Sequence, residues 1–441
     1  MQHILLITYY FPPYTGIEGN RLYTWANSLY QAGFKVTVLT RQWEKNGQTQ
    51  WEDYYREYHE TDEQIEIIDD RYQVIRLPYQ WSEGFRKSRE GKLPGAYYWW
   101  NKLKGTLHPE TDAYSSFFEY ADRFLAQETV DTVIVSSPPL NIIKLGHDLK
   151  RKHKVRFIAD FRDSFNNKLM QVPLQLTLKE KTEINIFRRH IRKWLENADG
   201  LIAVSQPVLD TIQKSFAAPI AIVKNGFEKD LFQDIPIQED RSQFAISLIG
   251  SLYPTQEIAF MAKGINLFLK EINPEDVRIQ FIGIKSRLPV VKEIRKYIDE
   301  KYLYFTDRIE RRKALEIMRG SQILLQVGWK GYKGFCPGKV FEYLAAGKNI
   351  LIAPGDGDLT DRVIKETRTG FSAITVDEVG DFLKQKYNEW KKAGQLSYSG
   401  DAKVIDSYSR EAQNSILTHF LATILSTDRK KVSANTPSVK G

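Results

Sequence analysis

Lys339 and Glu342 stand three residues apart in the run Gly338-Lys339-Val340-Phe341-Glu342-Tyr343-Leu344-Ala345-Ala346-Gly347. On a helix that spacing puts both on one face. Val340, Phe341 and Leu344 form the apolar stripe on the other side. Lys339 falls in the first turn, where unpaired backbone N–H groups and the helix dipole already favour an anion. A flexible ammonium there suits a phosphate or diphosphate. Ionised Glu342, one turn deeper, only accepts hydrogen bonds, and its two oxygens could take both hydroxyls of a ribose. The pair could therefore read a nucleoside diphosphate from phosphate to sugar. The plainer alternative is a solvent-exposed ion pair worth a few tenths of a kcal/mol.

The elements around the pair favour the binding role. Gln322 to Val327 is an apolar run short enough for a buried strand, and Asn349 to Ala353 is another. Between them Gly331, Gly334 and Pro337 break any regular period. Pro337 is placed to open the helix and Gly347 to close it. The pattern is strand, glycine-rich loop, helix, strand. A P-loop is excluded: Gly334 lies too close to Gly338-Lys339, and Val340 stands where that motif needs Ser or Thr.

A second constellation ends the strand Val155 to Asp160, in Asp160-Phe161-Arg162-Asp163. Two carboxylates and a guanidinium at a strand's carboxyl end are placed to handle a substrate hydroxyl, so Asp160, Arg162 and Asp163 are the catalytic candidates. A salt-bridged loop fixing the sheet edge is the structural alternative. The opening strand, His3 to Thr8, leads into a loop with Gly16 and Gly19, then a helix and the strand Lys35 to Thr40. This is a βαβ unit. The two glycines would let backbone approach a bound group closely and join the donor-binding candidates. A dinucleotide fingerprint would need a third glycine.

The chain has 441 residues, enough for two domains of about 200 each. It is 42% hydrophobic and 27% charged, an ordinary globular balance. Its one cysteine, Cys336, allows no intrachain disulfide and points to a reducing compartment. No histidine lies near Cys336 in sequence to activate it. No Cys or His pair has zinc spacing, and Asp356-Gly357-Asp358 reads as a turn before a helix rather than a metal site. No apolar run is long enough to cross a membrane, and no signal-peptide pattern opens the chain, so the expected location is cytoplasmic.

The net charge of +8 suits anionic substrates or an anionic membrane, and no nucleic-acid motif accompanies it. One block concentrates it: Trp81, Phe85, Arg86, Lys87, Arg89, Lys92, Leu93, Tyr97, Tyr98, Trp99, Trp100, Lys102 and Lys104. Aromatics mixed with cations suit a membrane–water interface at the inner face of the cell membrane. The alternatives are a helical flap packed on the domain and, less favoured, stacking on single-stranded nucleic acid.

The expected architecture is α/β, with two Rossmann-like domains facing across a cleft. Residues 1–226 form the first, with an inserted basic and aromatic block at about 78–116. A linker at 227–244 follows, then a second domain at 245–408, a helix at 409–426 packing back on the first domain, and a disordered tail at 427–441.

This pattern resembles the GT-B glycosyltransferases, specifically the retaining enzymes of family 4 that build bacterial surface polysaccharides. The likeness is carried by Phe11-Pro12-Pro13 with Gly16 to Arg21, Ser136 to Pro139, and Asp160 to Asp163. It continues through Asn225-Gly226-Phe227, Gly250-Ser251-Leu252-Tyr253 and the 338–347 run, the most specific of them. The resemblance implies transfer from a UDP- or GDP-linked sugar to a lipid-linked or glycan acceptor, without a metal or other cofactor. It implies that Lys339 holds the diphosphate, Glu342 the ribose, Gly250-Ser251 the phosphates, and that Arg308-Ile309 lie near the base. The acceptor would lie on the first domain, near Gly16 to Gly19 and Asp160 to Asp163.

Two departures stand out. Gly334 occupies the place of a first glutamate eight residues before Glu342, and no Arg or Lys lies between Tyr253 and Met261. They motivate the alternative of a degenerate sugar-nucleotide-binding or scaffold protein of the same fold. A dinucleotide-dependent oxidoreductase is a more distant third.

Overall fold

The computed structural model describes residues 1–14, 16–43, 62–81, 83–92, 94–97, 100, 104, 108, 110, 113–164, 167–170, 175–212, 216–236, 242–270, 272–329 and 331–434. The chain divides into two units. The first holds Met1–Leu169, Leu176–Lys224 and Asn414–Gly441; the second holds Met170–Gln175 and Asn225–Gln413.

The first unit is an eight-stranded sheet. Its strands are β1 (His3–Thr8), β2 (Lys35–Arg41), β3 (Gln64–Asp69), β4 (Tyr72–Leu77), β5 (Thr132–Ser137), β6 (Arg156–Phe161), β7 (Gly200–Ala203) and β8 (Ile220–Ile222). They lie in the order β3-β4-β2-β1-β5-β6-β7-β8, with only β3 antiparallel to its neighbour. The central strands are buried on both faces, which is why they read as unbroken apolar runs. β1 lies between β2 and β5, so the winding reverses there, and such sheets bind ligands outside the carboxyl ends at that point. Thr8 is level with Ser136, and Ser136 with Asp160.

One face of this sheet is covered by the helix Ile17–Gln31, through Leu22, Trp25, Ala26 and Leu29. Leu417, Phe420, Leu421 and Ile424 of the last helix, Arg410–Ala434, join the same core. The expected packing of the last helix on the N-terminal sheet is therefore present. That helix runs to Ala434, past the point at 426 where the sequence suggests it ends. The helix Leu178–Leu195 starts on a Thr177/Glu180 capping box.

The second unit is a six-stranded parallel sheet: β9 (Phe244–Ile249), β10 (Val277–Ile282), β11 (Leu303–Phe305), β12 (Ile323–Val327), β13 (Asn349–Ala353) and β14 (Gly370–Ser372). Their order is β11-β10-β9-β12-β13-β14, so the reversal falls between β9 and β12. Alternate residues serve opposite faces. Phe244, Ile246 and Leu248 pack with the helices Ile258–Leu269 and Val376–Ala393. Leu324, Ile350 and Ile352 pack with the helix Gly338–Ala346.

The stretch 227–244, expected as a linker, is largely part of this unit. Phe227, Phe232 and Ile235 are buried against the Gly338–Ala346 side. Acidic composition masked three apolar anchors. The sheet of each unit can be read as the two-domain α/β pattern the sequence predicts. Among the described residues, no helix is long and apolar enough to cross a membrane.

Candidate functional site

The helix Gly338–Ala346 starts from Pro337 and ends on Gly347, which adopts φ +66°. That left-handed turn is cheap only for glycine and lets the chain reverse directly into β13. Val340, Phe341, Tyr343 and Leu344 are buried. Burying such side chains contributes roughly 1.5–3 kcal/mol each, which locks the helix onto the sheet. The Tyr343 hydroxyl accepts from the Ile249 N–H at 3.0 Å and donates to the Leu325 carbonyl at 3.3 Å. The end of β9 and the helix are thereby pinned together just before Gly250.

Lys339 leaves the first turn of this helix and donates from Nζ to the Ser251 carbonyl at 2.9 Å. Gly250 has φ +98°, and a Cβ there would lie 3.6 Å from Lys339 Nζ. A side chain at 250 would be strained by that φ, while its Cβ would make only ordinary contact with the lysine. Burial pushes the Lys339 pKa down to about 8, against the opposing pull of Glu342. An incoming anion would oppose that shift by favouring the charged form. Gly250, Ser251 and Lys339, all donor-binding candidates from the sequence, thus lie together at the carboxyl end of β9, next to the point where the sheet reverses.

Glu342 is half-buried on the same helix, and Arg311 donates to its Oε1 at 3.1 Å. Arg311 opens the helix Arg311–Gly320. Its role was not visible in the sequence, because the pairing crosses two helices 31 residues apart. Arg308 and Ile309 lie in the loop between β11 and that helix, with Arg308 exposed. Gly334 is buried at φ +73° and gives its N–H to Asp358 Oδ2 at 2.6 Å. Asp356 accepts from the backbone N–H groups of Asp358, Thr360 and Asp361. The Asp356-Gly357-Asp358 stretch is accordingly a turn that starts the helix Leu359–Thr367. Cys336 is partly buried against the core under the Lys339 helix.

In the first unit, Asp160 is 0% exposed. Its Oδ2 accepts from Ser136 Oγ at 2.7 Å, and its Oδ1 lies 3.4 Å from Arg21 Nη2. Arg21 also donates to the Lys224 carbonyl and lies over the Trp25 ring. Asp160, a catalytic candidate in the sequence, is thus committed inside the sheet, bridging β5, β6 and the first helix as the salt-bridged alternative requires. Arg162 is 6% exposed, its guanidinium lies 4.9 Å from the Tyr10 ring centroid, and its Nε and Nη2 have no hydrogen-bond partner. A buried cation with unused donors is costly unless something anionic completes it. Asp163 is exposed.

Gly16 precedes the first helix at an ordinary φ of −73°. Gly19 is buried, and a Cβ there would meet the Tyr14 carbonyl oxygen at 3.0 Å. Packing inside the turn accounts for Gly19 without a ligand.

The basic and aromatic block divides. Trp81 packs against the Tyr9, Tyr10, Trp43 and Tyr79 cluster, as a flap would. Tyr97 and Trp100 are 57% and 63% exposed, and Lys87, Lys92 and Lys104 are exposed too. Leu93, Tyr98, Trp99 and Lys102, with the side chains of Phe85 and Arg89, lie outside the described residues.

No protein-family profile matches the chain. It is 23% identical over 232 residues to an uncharacterized glycosyltransferase of Methanocaldococcus jannaschii, a match covering 51% of this chain and 55% of that protein. The chain thus matches about half the length of that curated relative. Among solved structures, it is similar to sucrose-phosphate synthase from Thermosynechococcus elongatus, with TM-score 0.66 and 13% identity over 97% of this chain and 100% of that one. It is also similar to HepE of Anabaena, solved in complex with UDP and glucose, with TM-score 0.58 and 14% identity over 96% and 100% of the two chains. At these identities the likeness establishes the fold: a two-domain GT-B glycosyltransferase fold of parallel sheets and helices.

Proposed function

We propose that the chain is a retaining glycosyltransferase that moves a sugar from a UDP- or GDP-linked donor to a lipid-linked or glycan acceptor in cell-surface polysaccharide synthesis. One observation carries the reading. Lys339 Nζ is held at the Ser251 carbonyl beside positive-φ Gly250, at the carboxyl end of β9. An ammonium held in place, backbone that can approach closely and a helix N-terminus are what a departing diphosphate requires. Lys339 stabilises the charge that builds on that leaving group, so the reaction needs no metal. Glu342 takes the ribose hydroxyls, with Arg311 fixing one of its oxygens. The aromatic-stacked Arg162 of the first unit supports an acceptor that carries phosphate, as a lipid-linked sugar does.

A thermal-shift panel of UDP, GDP and NAD tests the donor class. One nucleoside diphosphate at about 100 times its Kd should stabilise the protein by about 2.7 kcal/mol, with NAD inert. A shift with NAD alone would overturn the reading. Nucleotide binding with no transfer or hydrolysis of any donor would favour the degenerate binding protein, for which Gly334 in place of a glutamate is the supporting observation.

The exposed Tyr97 and Trp100 with Lys87, Lys92 and Lys104 support a membrane-surface contact at the cytoplasmic side. The protein should float with anionic liposomes at low salt and detach at high salt. Failure to float at low salt would remove this part of the proposal.

A further inference from the structure

The helix Leu178–Leu195 of the first unit buries one face through Ile184, Ile191, Trp194 and Leu195. On the outer side Lys181, Arg188, Arg189, Arg192 and Lys193 are all exposed. None of these five makes an ion pair or a side-chain hydrogen bond among the described residues. Cations nearby are treated differently. Lys150, Lys152 and His153 of the helix Ile143–His153 each have a carboxylate partner, in Asp199 or Asp122.

Helical spacing sets Arg188 beside Arg192 and Arg189 beside Lys193. Like charges four residues apart oppose the helix. The dipole at the carboxyl end offsets this for Arg192 and Lys193, which lie in the last turn. It does nothing for Lys181, Arg188 and Arg189. A stripe of cations held against their own repulsion, with no acid among them, is complementary to something anionic outside the chain.

Two further features say what that is. Leu178 opens the same helix and is 83% exposed, roughly three and four turns before Arg189 and Arg192 and so on their stripe. His190, on the flank of the stripe, has its pKa held below the ordinary histidine value by burial and then by the charges of Lys193 and His108. His108 belongs to the basic and aromatic insertion, so the helix and the insertion that carries exposed Tyr97 and Trp100 are neighbours on one unit.

We propose that the outer face of the helix Leu178–Leu195 docks on the anionic surface of a lipid bilayer, as an electrostatic arm beside the aromatic insertion. A phospholipid surface offers phosphates to the cations and apolar depth to Leu178 together. A nucleic-acid backbone would use the cations and leave Leu178 in water. The inference rests on the membrane-surface reading given above and is independent of the donor site.

The test uses the full chain and its sedimentation with vesicles of phosphatidylcholine, with and without phosphatidylglycerol, at low salt. Wild type should partition far more strongly onto the vesicles that contain phosphatidylglycerol. Each cation near an anionic leaflet strengthens partitioning about fivefold, so Arg188→Gln combined with Arg192→Gln should weaken it about 25-fold. Arg189→Gln combined with Lys193→Gln should do the same. Neither pair should lower the melting temperature, because each relieves a like-charge contact. Lys365→Gln combined with Lys403→Gln removes two exposed cations of the second unit and should leave partitioning unchanged. Helix variants that bind vesicles like wild type, or a second-unit pair that weakens binding as much, would overturn the inference while leaving the aromatic insertion as the membrane contact. Wild type that binds neither kind of vesicle, whether or not it binds a single-stranded oligonucleotide, would fell the membrane reading and this inference with it.

Discussion

Lys339→Ala is expected to lower donor turnover by about 100- to 1000-fold, the loss typical when one preorganised charge-stabilising group is removed. The ammonium is held in place before any ligand arrives, by the Ser251 carbonyl. It therefore pays little reorganisation when charge develops on the leaving diphosphate. Its depressed pKa of about 8 adds a pH signature. Below pH 8 the free protein already carries the cation; above it, the diphosphate must bind together with a proton. Affinity for the bare nucleotide should be flat below pH 8 and fall about tenfold per pH unit above it. The same titration with Lys339→Met should show no such break.

Stability should move the other way. The folded-state pKa lies below the ordinary lysine value, so the unfolded chain binds the proton more tightly. The charged form costs stability below pH 8, and the cost fades as pH rises from 8 towards the unfolded value. Lys339→Met should melt about 2–4 °C higher than wild type at pH 7, with the gap closing above pH 8. Wild-type turnover in Lys339→Ala, or nucleotide affinity indifferent to pH through 8, would remove Lys339 from the donor site.

Asp160→Ala should destabilise the first unit by about 3–5 kcal/mol, because it removes the carboxylate that balances the charge of the buried Arg21 guanidinium. Arg21 lies over Trp25 and is inaccessible to water that could compensate it. Asp160→Asn keeps an acceptor for Ser136 and should lose less. Thermal melts distinguish this from an acid–base role. A catalytic carboxylate could be lost with the melting temperature unchanged; this one could not. An Asp160→Ala protein that melts like wild type would contradict the buried pairing.

Much of the second unit's site is written locally, which is why it was legible. Pro337, Gly347 and the apolar spacing of Val340, Phe341 and Leu344 specify a helix of this length and facing. Lys339 in its first turn follows from that. The partners were not legible. Arg311 meets Glu342, and Tyr343 ties Ile249 to Leu325, through contacts between elements far apart in the chain. Phe232 and Ile235 sit in an acidic, irregular stretch whose average polarity says nothing of two side chains finding a groove.

The amino-acid order alone determined the alternation of strands and helices, the division into two α/β sheets, and the glycine and proline positions that open and close the Lys339 helix. These depend on periodicity and on backbone φ, which each residue carries with it. Only the tertiary structure decided which polar groups are spent and which are left over. Asp160 proved committed, Arg162 kept two nitrogens without partners, and Gln326 kept one buried oxygen. Burial and hydrogen-bond satisfaction are properties of neighbours, and the neighbours here come from strands and helices brought side by side only by folding.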